Sequence, residues 1–228
     1  MSVAGSADRL TPSVQDYLKV IYTLSAGGHP AATSDIAQHL ELSPPSVSGM
    51  IKRLSEQGLL EHVPYRGVIL TVDGRRVALR MVRRHRLIEA YLVAFLGYTW
   101  DVVHAEAERL EHAVTDTLVE RMAAALGNPA VDPHGEPIPA ADLSIAEEVC
   151  APLADAAPNE LLVIRRVRIA DPERLRYLAS LGLTPGVSVT VLARQPFDGP
   201  ITIRSDGREQ VIAHALGLDL LCAQTRGA

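Results

Sequence analysis

The sequence predicts a mainly α protein that ends in a small β domain. Three observations predict it: short helical periods followed by a β-branched hairpin within the first 72 residues, two long helical patterns over residues 74–126, and a series of short β-runs beyond residue 160. At 228 residues the chain has room for one large domain or two to three small ones, and with 47% apolar residues it can bury a core.

Thr11 and Pro12 form a cap and first-turn pair, and Val14, Leu18 and Ile21 follow at helical spacing until Gly27 and Gly28. A second short helix is expected from Thr33 through Ile36, Ala37 and Leu40. Ser43 caps a third, with Pro44 and Pro45 in its first turn, Val47, Ile51 and Leu54 inward and Gly58 at its end. Leu59 to Val63 and Val68 to Val72 read as strands around a Tyr65-Arg66-Gly67 turn. Three helices followed by a hairpin make a winged helix-turn-helix over residues 1–74, its third helix suited to reading DNA.

A long helix from Gly74 to Leu96 carries Ala78, Met81, Val82, Ile88 and Leu92 on one stripe. A second, from Trp100 to Leu126, carries Val103, Ala107, Leu110, Val114 and Leu118, and together they fill a helical domain over residues 75–145. Between Gly127 and Pro158 the text turns to N-P, D-P-H-G-E-P-I-P and A-P, which is loop chemistry, and residues 146–160 are expected to form a linker. Residues 161–228 then offer a strand from Leu161 to Ile169, a helix opened by Asp171 and Pro172, and β-runs at Val187 to Ala193, Ile201 to Arg204 and Gln210 to Ala213. That pattern predicts a small barrel-like domain.

Net charge is −5, but it is unevenly spread: +3 over residues 1–100, −11 over 101–160 and +3 over 161–228. So acidic a middle segment repels itself unless counterions, arginines or a metal lie against it. Two cysteines, Cys150 and Cys222, are too few for a disulfide scaffold or a thiolate zinc cluster and fit a reducing compartment. The first ten residues hold no apolar leader, and no apolar run is long enough to span a bilayer, so a cytoplasmic protein without a membrane partner is expected.

Two constellations carry chemistry. On the Trp100 helix, His104, Glu108, Glu111 and His112 fall at i, i+4, i+7 and i+8, an arc of about 100° beside the apolar stripe. On the helix before it, His85 and Glu89 form another i, i+4 pair, with His85 inside the apolar stripe. Imidazole and carboxylate donors without thiolate suit manganese, iron(II), zinc or cobalt, whereas an all-carboxylate set would suit calcium. The second constellation is the winged helix. Ser43, Pro45, Ser46 and Ser48 occupy the first turns of the recognition helix, and Lys52, Arg53 and Arg66 are placed for phosphate contacts. Arg83, Arg84 and Arg86 are expected to pair with the acidic segment rather than with phosphates.

The runs R-R-H-R-L-I-E-A-Y-L at 83–92, V-H-A-E-A-E-R-L-E-H at 103–112 and D-P-H-G-E-P-I-P at 132–139 occur in the order seen in the diphtheria toxin repressor (DtxR/MntR) family, which the whole chain resembles. The resemblance implies a homodimeric, metal-activated repressor of metal-homeostasis genes that binds double-stranded operator DNA and ends in an SH3-like, FeoA-type domain. It also implies a primary metal site of Asp16, Glu108, Glu111 and His112 and an ancillary site of His85, Glu89 and His104. Iron-responsive members carry Met and Cys where this chain has Asp16 and Glu108, while manganese-responsive members carry carboxylates, so the expected activator is Mn(II), with Fe(II) second. Lys19 stands where some manganese regulators have a Glu ligand, and R-R-V-R-I-A of the β domain offers no carboxylate in register with the ligands that iron-type members draw from it. Two other readings fit parts of the pattern: a dinuclear carboxylate-histidine metalloenzyme in a helical bundle, and a winged-helix sensor of an organic ligand.

Overall fold

A computed structural model describes residues 10–25, 28–146 and 148–224. Gly27, read above as part of a helix stop, lies outside them, as do the first nine residues. The chain divides into two compact units, the first holding residues up to 84 with 139–144, the second holding 85–138 and the residues from 145 onward.

The first unit contains α1 (Pro12–Leu24), α2 (Thr33–His39), α3 (Pro44–Glu56), β1 (Leu60–Val63) and β2 (Gly67–Leu70). It also holds the start of α4 (Val72–Leu96). The inward positions of the three helical periods, among them Leu18, Ile21, Ile36, Val47, Ile51 and Leu54, form one core with Leu60 and Val68 of the hairpin. The strands pair antiparallel from Leu60 with Leu70 to Val63 with Gly67. Val68 also exchanges main-chain bonds with Ala31, at 2.9 and 3.0 Å, which ties the wing to the entry of α2. Gly67 is required there: its φ is +126°, and a Cβ would fall 2.1 Å from the Ala31 carbonyl oxygen. This unit is the expected winged helix-turn-helix.

In the second unit the sequence expectation needs correction. The helix expected from Trp100 to Leu126 is two helices, α5 (Val103–Leu110) and α6 (Asp116–Ala125). Thr115 ends the run by capping α6, its side chain accepting from the Leu118 N–H. A hydroxyl that satisfies an orphan donor competes with helix continuation. The break turns the stripe, so Leu118, expected inward, is 42% exposed, while Val119 and Ala123 are buried against Leu87 and Ile138.

The segment expected to be a linker contains β3 (Ala151–Pro152) and a 3₁₀ turn (Leu153–Asp155) whose Leu153 and Ala154 join the core of the β domain. The sheet continues through β4 (Leu161–Val167), β5 (Ser188–Arg194), β6 (Ile201–Ser205), β7 (Arg208–Ile212) and β8 (Leu220–Gln224). Its strand order is β3-β8-β4-β5-β6-β7 and its described pairings are antiparallel. Helices α7 (Pro172–Ser180) and α8 (His214–Asp219) complete the domain. As predicted, Asp171 caps α7, its carboxylate accepting from the Arg174 N–H at 2.8 Å. No helix among the described residues is long and apolar enough to cross a membrane.

Candidate functional site

The apolar stripe of α4 places His85 between Val82 and Ile88, so its imidazole is carried inward with them, and Glu89 follows one turn later on the same side. Both are buried. The His85 ring is a bridge: Nδ1 lies 2.5 Å from Glu111 Oε2 and Nε2 lies 3.0 Å from Glu89 Oε1. His104 of α5 adds Nδ1 at 3.0 Å from the same Glu89 oxygen. Glu108, one turn along α5, approaches His104 Nε2 to 3.7 Å and is exposed.

One donor atom from each of His85, His104 and Glu108 lies within 4.8 Å of the others. The structure thus groups Glu108 with the two histidines. Glu111, at the α5 C-cap, and His112 lie in the turn after α5 rather than on the helical strip, with His112 Nε2 3.7 Å from Glu111 Oε1. Asp16 stands on α1 in the first unit, half-buried.

Two residues that the ligand reasoning missed come from the D-P-H-G-E-P-I-P run. Asp132 opens a tight turn in which its Oδ1 accepts the N–H groups of His134 (2.8 Å) and Glu136 (2.9 Å), and its carbonyl accepts that of Gly135 (3.0 Å). The turn buries both Asp132 and His134. His134 Nε2 donates to the Trp100 carbonyl at 2.7 Å, and Nδ1 faces Glu89 Oε2 at 3.9 Å. Donor atoms of Glu89, Asp132 and His134 again lie within 4.8 Å of one another. A histidine whose outer nitrogen is fixed by a carbonyl while its inner nitrogen faces carboxylates has the orientation of a metal ligand. The sequence signal was present, a histidine and an aspartate in one turn motif, but its composition reads as linker.

Electrostatics sharpen this. Burial pushes the Glu89 carboxyl up, but hydrogen bonds from His104 and His85 outweigh it and hold the group well below the usual carboxylate range. Asp132 has no such donors from imidazole. Burial first, and then the charge of Glu89, push it up to about 6, against the pull of Arg86. Arg86 Nε lies 3.6 Å from Asp132, and the guanidinium also pairs with Glu136 at 3.1 Å and donates to the Pro137 carbonyl at 2.6 Å. Arg86 therefore serves the acidic segment, as expected, and Arg83 donates to the Pro139 carbonyl. A divalent cation fits this donor set: buried carboxylates that repel each other, oriented imidazoles, and only nitrogen and oxygen atoms. The two cysteines lie in the β domain's sheet region, and burial raises both thiols, Cys222 to about 12.

The residues expected to contact DNA lie on the exposed side of α3 and on the wing. Ser43, Pro45, Ser46, Ser48, Lys52, Arg53 and Arg66 are all exposed. Three of the serines also hold local structure. Ser43 caps α3 by accepting the Ser46 N–H, its hydroxyl lies 2.9 Å from that of Ser46, and the Ser48 hydroxyl donates to the Pro44 carbonyl at 3.0 Å.

Comparison with known proteins agrees with this division. Residues 9–68 match the family described as iron dependent repressor, N-terminal DNA binding domain. Residues 71–140 match iron dependent repressor, metal binding and dimerisation domain, and residues 151–216 match the FeoA domain. The iron-dependent repressor IdeR of Mycobacterium tuberculosis is 32% identical over 93% of this chain and 99% of its own. A manganese-dependent transcriptional repressor solved in complex with manganese is 41% identical, with a TM-score of 0.88 over 93% of this chain and 100% of that one. The manganese regulator SloR is 33% identical, with a TM-score of 0.77 over 95% and 100%. On these residues, domains and relatives, the chain belongs to the diphtheria toxin repressor family of metal-dependent transcriptional repressors, which are not enzymes.

Proposed function

We propose that this protein is a cytoplasmic, homodimeric repressor that binds operator DNA when loaded with Mn(II), Fe(II) being the second-ranked activator. The observation that carries the reading is the nitrogen-and-oxygen cluster on α4, α5 and the Asp132 turn, buried at His85, Glu89, Asp132 and His134, in a chain that also carries an exposed recognition helix. His85, Glu89, His104 and Glu108, with Asp132 and His134, are the proposed ligands of the helical unit. The residue match to the family adds Asp16, Glu111 and His112. When bound, the cation supplies the positive charge that lets these carboxylates stand together.

Glu89 and His85 hold the donors in place from the rigid α4, and Arg86 fixes the turn that carries Asp132 and His134. Metal and DNA then favour each other by the same factor, typically 5- to 150-fold. For the dimer, Phe95, Leu96, Val102 and Leu118 offer exposed apolar surface within the helical unit, 42–61% accessible.

Two experiments test the reading. Replacing Asp16 by Met together with Glu108 by Cys is expected to move activation towards Fe(II) or Co(II), since softer donors replace oxygen. Operator binding measured with each metal checks it, and an unchanged ranking would remove the reason for choosing manganese. For the DNA face, Arg53→Ala and Arg66→Ala should weaken all sequences alike and flatten the salt dependence by about one unit per lost phosphate contact. Ser46→Ala should act on the operator alone, because alanine keeps the main-chain N–H that Ser43 caps. Identical behaviour of the two classes in a salt titration would mean that α3 is not the reading element.

A further inference from the structure

We infer that the C-terminal β domain is a positioning element for the metal centre, acting through its main chain and through Trp100 rather than by lending a ligand; the inference rests on the proposed reading that Glu89, Asp132 and His134 hold a metal.

Six contacts carry it. The Val167 N–H of β4 donates to the His134 carbonyl at 2.9 Å. The next residue, Gly135, lies so close to β4 that a Cβ would fall 1.8 Å from the Arg165 carbonyl oxygen, and its φ is +84°. On the other side, the Trp100 carbonyl takes the His134 Nε2 proton at 2.7 Å, and the Trp100 ring stacks on the imidazole at a centroid distance of 5.8 Å and an interplanar angle of 23°. Trp100 itself packs against the β-domain core, and its neighbour Asp101, 9% exposed, is held by Arg176 of α7 at 3.1 Å.

His134 is thus gripped at its carbonyl, its outer ring nitrogen and its ring face, each grip anchored in or on the β domain. Together these contacts aim Nδ1 at Glu89 Oε2, 3.9 Å away. A family expectation of side-chain ligands from this domain is met here by R-R-V-R-I-A, which has none. The main-chain grip supplies the positioning in their place.

Linkage provides the test, because a grip that favours metal binding must itself be tightened by metal. Hydrogen exchange of the full-length protein, read by mass spectrometry with residue-level fragmentation, is compared with and without Mn(II). The Val167 amide is expected to exchange about 5- to 150-fold more slowly with metal. Val191, buried deep in the same domain, should not change. In His134→Gln the slowing at Val167 should vanish. Gly135→Ala, checked for folding by its thermal melt, should lose Co(II) affinity and perturb the Co(II) absorption spectrum.

Slowing on α4 around Glu89 with no change at Val167 would overturn the inference and leave the metal reading standing. Uniform slowing of Val167 and Val191 would also overturn it, since that is global stabilisation. No change at either α4 or Val167 would overturn the metal assignment of Glu89, Asp132 and His134, and the inference with it.

Discussion

Glu111→Ala is expected to drop operator affinity at saturating Mn(II) to the metal-free level, a loss of about 5- to 150-fold. Glu111 is 1% exposed and its two oxygens lie against His85 at 2.5 Å and His112 at 3.7 Å, so alanine takes a charged partner from both imidazoles. Glu111→Gln keeps the volume and an acceptor for His85 while removing the charge, and it should behave in the same way. That agreement separates the loss of a ligand from the cost of a cavity. In chelator, both variants and the parent should bind the operator equally weakly. Full-affinity binding by either variant, measured by fluorescence anisotropy, would remove Glu111 from the metal centre.

Asp132→Asn is expected to stabilise the metal-free protein at neutral pH while weakening its metal binding. The Asp132 carboxyl is pushed up to about 6 by burial and by Glu89, from 3.8. The folded state therefore holds a proton through a window in which the unfolded chain has lost it. The contribution of Asp132 to stability is greatest below about pH 4 and is lost as pH rises through about 6, an amount on the order of 2–3 kcal/mol. Asparagine removes the charge but keeps an oxygen to accept the His134 and Glu136 N–H groups, and Arg86 retains Glu136 and the Pro137 carbonyl. The gain should appear in thermal melts at pH 7 in chelator and disappear near pH 4. Saturating Mn(II) should reverse the order, favouring the parent. A variant less stable than the parent at every pH would show that the Arg86 pairing outweighs the cost of the buried charge.

Much of this was legible in the sequence because the signals are local. Ser43 with Pro44 and Pro45, followed by Val47, Ile51 and Leu54, defines a helix start and its buried face by short-range rules, and all three apolar residues are buried. His85, Glu89, His104 and Glu108, which the structure brings together, stand out in the sequence because two helical periods repeat the same i, i+4 spacing.

The misses have physical reasons as well. The period of α5 runs through E-R-L-E-H without interruption, so nothing but the cap at Thr115 marks where it stops. Strand β8 reads L-L-C-A-Q, a run without alternation, because it sits between β3 and β4 and is covered. Asp132 and His134 lie among prolines and a glycine, residues that mark a turn but do not reveal that the turn is buried. Only the three-dimensional packing against Trp100 and β4 shows that.

The most direct measurement is operator binding at fixed salt, titrated with Mn(II), Fe(II), Co(II) and Zn(II) against a chelator baseline. The account predicts weak, sequence-indifferent binding in chelator and a rise in operator affinity of about 5- to 150-fold on adding Mn(II), with Fe(II) next. Tight operator binding that is the same in chelator and in every metal would contradict it.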